Sequence, residues 1–172
     1  MIPALSPLLT VADALRRAGI PFALGGSGLL HSLGLVSEVH DWDLTTDSPL
    51  PVVAAALGDL PWVRAAHGEQ RYATDYRLAI AVAGVSIDLM GSFAIRTEAG
   101  VCHLPTIPVS TWEGVPVGSP EVWAVAYRLM GRSPKADLLS AYLRQRGADR
   151  QVVARLLQEP LPADVREEVA RW

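Results

Sequence analysis

Three aspartates stand out by type and spacing. Asp41 and Asp43 flank Trp42 in HDWDL, and Asp88 interrupts the apolar run of SIDLM. In an extended strand alternate side chains share a face, so Asp41 and Asp43 point one way while Trp42 and Leu44 point the other, with His40. Two acids side by side repel each other and are poor strand formers. A bound dication removes that repulsion, and an acid among Ile, Leu and Met is rarely found unless it is paired or metal-bound. Carboxylate oxygens suit magnesium or manganese. Upstream, Gly25-Gly26-Ser27 follows the apolar run IPFAL and opens a short apolar stretch. Glycines there let the backbone approach a ligand, and the first amides of a helix favour a phosphate. Together these residues suit metal-assisted chemistry on a phosphate group.

The elements that must carry them are legible by period. Residues 7–18 repeat apolar side chains at helical spacing and end at Gly19. IPFALGG reads as a strand ending in a tight turn, and Ser27 as the N-cap of a two-turn helix GLLHSLGL. VHDWDLTT is the second strand, PLPVVAAALGDL a helix with proline in its first turn, and PWVRAAHG a third strand. TDYRLAIAVAGVSIDLMGSFAI reads as two strands joined near Gly84, with Ser86, Asp88 and Met90 on one face of the second. VCHLPTI and EGVPV are short strands whose prolines predict edge positions. Beyond Gly118 the period becomes helical: Ser119 caps PEVWAVAYRLMG, Ser133-Pro134 opens PKADLLSAYLRQRG, and two further helices follow. The expected fold class is α+β, with a mixed sheet flanked by helices over residues 1–118 and a helical segment over 119–172.

The 172 residues suffice for one well-buried core, and 50% hydrophobic with 19% charged residues describes a globular chain. Net charge is −3 without a basic block, so an extended nucleic-acid duplex is a poor partner. Cys102 is the single cysteine and reads as a small buried side chain, which fits a reducing compartment. Neither a signal-peptide pattern nor a run of about 20 apolar residues is present, so the expectation is a soluble cytoplasmic protein without membrane contact. His31, His40, His67 and His103 lack the spacing of a helical zinc site. His67, Glu69 and Arg71 form a polar loop that reads as a solvated hairpin, and Trp112 and Trp123 as packing residues.

The ordered set of LGGS at 24–27, HDWDL at 40–44 and SIDLM at 86–90 resembles the signature of the DNA polymerase β-type nucleotidyltransferase superfamily. The segment VPVGSPEVWAVAYRLMGRSPKADLLSAYL is similar to the C-terminal part of small bacterial members, in the AbiEii-toxin and lincosamide-nucleotidyltransferase-like groups. There an Arg-x-Lys-Asp cluster follows the helix; here it is stretched over Arg132 to Asp137. The resemblance implies transfer of a nucleoside monophosphate from a nucleotide triphosphate to an acceptor, with pyrophosphate released. It implies Asp41, Asp43 and Asp88 as metal ligands and catalytic acids, with Asp88 nearest the acceptor. Gly25, Gly26 and Ser27 would bind triphosphate, with Arg132 and Lys135 as further phosphate contacts. The acceptor would be a small molecule, a protein or transfer RNA, and a second subunit or an operon partner could complete its pocket. The competing expectation is a non-catalytic protein of the same fold, acting as a nucleotide-binding regulator or toxin–antitoxin partner.

Overall fold

A computed structural model describes residues 1–66 and 68–172 of the chain. Its architecture is α+β, as the sequence predicts. Helix α1 (Leu5–Arg17) buries Leu8, Val11, Ala12 and Leu15 on one stripe. It leads into β1 (Ala23–Leu24), α2 (Gly26–Ser32), β2 (Trp42–Thr46) and α3 (Leu50–Leu57). Strands β3 (Trp62–Arg64), β4 (Tyr76–Val82), β5 (Val85–Gly91), β6 (Ala94–Thr97), β7 (Gly100–His103), β8 (Pro108–Trp112) and β9 (Val115–Gly118) follow. Four helices complete the described residues: α4 (Pro120–Leu129), α5 (Ser133–Arg146), α6 (Arg150–Leu156) and α7 (Ala163–Ala170).

Among the described residues seven strands form a mixed sheet in the order β3-β4-β5-β2-β1-β9-β8, and β6 and β7 pair separately. β2 runs parallel to β5 and β1 parallel to β9, the other pairs being antiparallel. The β4–β5 hairpin turns at Ala83-Gly84, both with positive φ, which matches the twist of a two-residue hairpin. That turn sets the whole register: Val82 faces Val85 and Ala79 faces Asp88. Trp42, Leu44, Leu78, Ile80, Ile87 and Leu89 are fully buried on the face that α1 covers. The opposite face of the same three strands carries Asp43, Arg77, Asp88 and Met90.

Several local expectations are corrected. Ser27 is not an N-cap: Gly25 caps α2, and Ser27 lies inside its first turn. β2 begins at Trp42 and not at Val39, so Asp41 precedes the strand and is exposed. IPFALGG yields only a two-residue strand, and the third strand is limited to Trp62–Arg64. β8 escapes the sequence reading because Pro108 and Ser110 obscure its alternation. It takes the sheet edge, while β9 lies inside the sheet despite Pro116. The capping of α4 is as expected: Ser119 Oγ accepts from Val122 N at 3.2 Å. The change from sheet to helix at residue 118 does not divide the core, since one apolar cluster runs from Leu8 through Trp42 and Leu89 to Trp123, Leu139 and Trp172. The helices are locked to each other by Arg128, which donates to Glu168 through Nε and Nη2 and to Asp137 at 2.8 Å.

Candidate functional site

Parallel pairing of β2 with β5 sets Asp43 directly beside Asp88, and Asp41 joins them from just before β2. One carboxylate oxygen from each lies within 4.8 Å of the others. Asp41 is exposed, while Asp43 and Asp88 are half-buried. They line a cavity of about 310 Å³ to which α4 contributes Trp123 and Tyr127 and α5 contributes Lys135. Burial pushes the Asp43 carboxyl up to about 7, and the charges of Asp41 and Asp88 push the same way, against Arg132 and Arg77. The cluster is therefore electrostatically unsatisfied, and an oxygen-only donor set of this size can gather a divalent cation.

The glycine turn meets the acids directly. Gly26 has φ +56°, and a Cβ there would stand 1.8 Å from Asp43 Oδ2. Gly26 and Ser27 line the cavity, whereas Gly25 stands behind its wall: a Cβ on Gly25 would fall 1.9 Å from the Trp123 ring. The glycines thus have a packing cause as well as the ligand-approach cause read from the sequence. Ser27 Oγ is buried without a hydrogen-bond partner among the described residues.

Arg132 and Lys135 both line the cavity, and Arg132 is near enough for its charge to act on Asp43. Lys135 Nζ lies 5.3 Å from the centre of the Tyr127 ring, a cation–π contact. The third member of the stretched cluster, Asp137, turns away to Arg128. His67 lies outside the described residues. Its neighbours Glu69 and Arg71 pair with each other, and Arg71 also donates to the Met130 carbonyl at 2.9 Å. His31 is structural, with Nδ1 3.0 Å from the Val36 carbonyl oxygen and its ring edge-on to Trp112. Cys102 is buried, and its thiol is pushed up to about 12 by that burial. No helix among the described residues is long and apolar enough to cross a membrane.

Among the polar residues lining the cavity, sequence reasoning missed Tyr72, Thr74, Arg77 and Tyr127, and it set His40, which also lines the cavity, on the opposite face. Arg77 reaches across the β4–β5 hairpin to pair with Asp88. Its signal was present in the turn: counting back from Ala83-Gly84 puts Arg77 on the face of Asp88. Tyr127 is 1% exposed, and its hydroxyl has no hydrogen-bond partner among the described residues, while burial and then the Asp43 charge push its pKa up. Helical period marks Tyr127 only as a buried position, so nothing local shows which cavity it faces. Trp123 packs against Phe93 and Tyr127 at centroid distances of 5.6 Å and also lines the cavity.

An arrangement of clustered acids, two buried hydroxyls and cations can hold a polyanion through a dication. The structure is similar to TM1012 from Thermotoga maritima, provisionally described as a nucleotidyltransferase, with 23% identity and a TM-score of 0.58 over 85% of this chain and 97% of that one. It is also similar to ANT(2")-Ia in complex with adenylyl-2"-tobramycin, with 16% identity and a TM-score of 0.55 over 81% and 88% of the two chains. No protein-family model matches the chain, and no curated protein matches it in sequence. The chain has the α+β nucleotidyltransferase fold.

Proposed function

We propose that the protein transfers a nucleoside monophosphate from a nucleotide triphosphate to an acceptor, releasing pyrophosphate. The observation that carries this is the convergence of Asp41, Asp43 and Asp88 in a cavity that Ser27, Arg132 and Lys135 also line. The donor set fits magnesium or manganese: three carboxylates close enough to share an ion, one of them held near neutrality by its surroundings. A divalent ion there would supply charge neutralisation at the transferred phosphoryl group and the leaving pyrophosphate.

The chain's own residues divide the remaining work. Asp41 and Asp43 would hold the ion, and through it the triphosphate. Ser27 Oγ and the amides of the first turn of α2 donate to phosphate oxygens. Arg132 and Lys135 screen the charge of the released pyrophosphate, and the aromatic wall of Phe93, Trp123 and Tyr127 excludes water from one side. Asp88 stands on the acceptor side and takes the proton of the attacking hydroxyl as that oxygen bonds to the α-phosphorus and the bond to the β-phosphate breaks. The acceptor is a hydroxyl on a small molecule, a protein or transfer RNA; in the similar ANT(2")-Ia structure the adenylylated molecule is tobramycin.

A second reading is favoured by the Arg77 ion pair, which already occupies Asp88: a nucleotide-binding regulator or toxin–antitoxin partner without transfer activity. Incubation with each α-labelled ribonucleotide triphosphate and pooled acceptors separates the two. The transferase releases pyrophosphate in a magnesium-dependent manner and leaves label on an acceptor. Nucleotide binding with no release under magnesium or manganese would instead support the regulator.

A further inference from the structure

Asp88 differs from its neighbours in having a partner. Arg77 donates through Nη2 to Asp88 Oδ2, whereas among the described residues neither Asp41 nor Asp43 has a side-chain ion pair or hydrogen bond. The hairpin register dictates this contact: Ala79 is directly opposite Asp88, and Arg77 is its diagonal neighbour on the same face. The two halves of the pair are unequally held. The Asp88 side chain is 14% exposed and that of Arg77 is 38% exposed, so the group free to move towards solvent is the guanidinium.

A dication shared by all three acids would stand beside that guanidinium, and like charges in a partly buried site are poorly screened. When all four groups are ionised, the three carboxylates and Arg77 leave two negative charges, the amount that one divalent ion neutralises. We propose that Arg77 is the resident counter-cation of the acid cluster, competing with a divalent ion for Asp88, so that Asp41 and Asp43 alone hold the ion until an anionic substrate group draws the guanidinium away. This rests on the metal-site reading of the cavity. A guanidinium binds phosphate as readily as carboxylate, so a phosphate arriving in the cavity gives Arg77 its alternative partner. Arg77 is then a positioning residue: filling the cavity with anion and releasing Asp88 become one event.

The test is Mn²⁺ binding to the full chain without nucleotide, followed by the electron paramagnetic resonance of the free ion. Arg77→Gln is expected to bind Mn²⁺ about tenfold or more tightly than the unmodified protein, since Asp88 is then free to join Asp41 and Asp43 as a ligand. Arg77→Lys, which keeps the charge, stays close to the unmodified protein. In an Asp88→Asn background the gain from Arg77→Gln disappears. If Arg77→Gln does not fold, Arg77→Met, which preserves the apolar stem, gives the same comparison.

Unchanged or weaker binding in the neutral variants overturns the proposal, the weaker result meaning that Arg77 orients Asp88 as a ligand. A gain that persists with Asp88→Asn also overturns it, because the effect is then a general field and not competition for that carboxylate. Binding that is lost in Asp43→Asn but indifferent to Arg77 sinks this inference and keeps the metal site. No Mn²⁺ binding by any form removes both.

Discussion

Replacing Asp43 by asparagine is expected to stabilise the metal-free protein at neutral pH and to abolish its magnesium-dependent binding of nucleotide. Both effects have one cause. In the unfolded chain Asp43 ionises near 3.8, and in the folded protein burial and two neighbouring acids push it up to about 7. Between those values the folded state holds a proton that the unfolded state has lost, so the metal-free protein becomes less stable as pH rises from about 4 to 7. The slope from this group approaches about 1.4 kcal/mol per pH unit. Asp43→Asn removes the ionisation, so its advantage over the unmodified protein is near zero at pH 4 and grows to about 2–4 kcal/mol at pH 7. Magnesium reverses the order, because an ion bound only to the folded state stabilises it by mass action and the variant cannot use it. Urea denaturation at pH 4 and pH 7, with and without magnesium, reads all four values. A variant less stable than the unmodified protein at pH 7 without metal would mean that Asp43 is satisfied in the fold.

Gly25→Ala is expected to cost about 3 kcal/mol, the upper part of the range for overpacking a core. The backbone at Gly25, φ −125° and ψ −154°, suits any residue, so strain is not the cause. The new methyl would fall 1.9 Å from Trp123 Cζ2, and Trp123 is held between Phe93 and Tyr127. The ring cannot retreat without opening the cavity wall. The midpoint of urea unfolding measures the cost, and the double variant Gly25→Ala with Trp123→Phe should recover part of it, because the two residues contend for one space. Strictly additive losses would show that the methyl is accommodated elsewhere.

Much of the site was legible before the fold because its signal is local. Asp41 and Asp43 stand out as two acids one residue apart in a strand-like stretch, and Asp88 stands out as an acid in an apolar run. What the sequence could not supply was the pairing of β2 with β5, which is parallel and separated by some forty residues, yet decides that Asp43 and Asp88 are neighbours. Arg77 follows from the hairpin turn, so counting register from Ala83-Gly84 would have found it. Tyr127 and Trp123 would not have been found this way, since helical period identifies buried positions without saying what lies opposite. Ser27 was misread as a cap because its type suits that role. The helix instead begins at Gly26 with Gly25 as its cap.

The proposed transfer requires that the three acids bind nucleotide through a divalent ion. Its most direct test is titration of each common ribonucleotide triphosphate, with and without magnesium, into the unmodified protein and Asp43→Asn while following tryptophan fluorescence. Trp123 is the reporter, since it lines the cavity, whereas Trp42 is buried on the other face with Nε1 donating to the Ala4 carbonyl at 3.1 Å. Trp123→Phe serves to assign the signal. The account predicts saturable binding of at least one nucleotide that requires both magnesium and Asp43. Binding indifferent to either one, or no binding to any nucleotide, would contradict it.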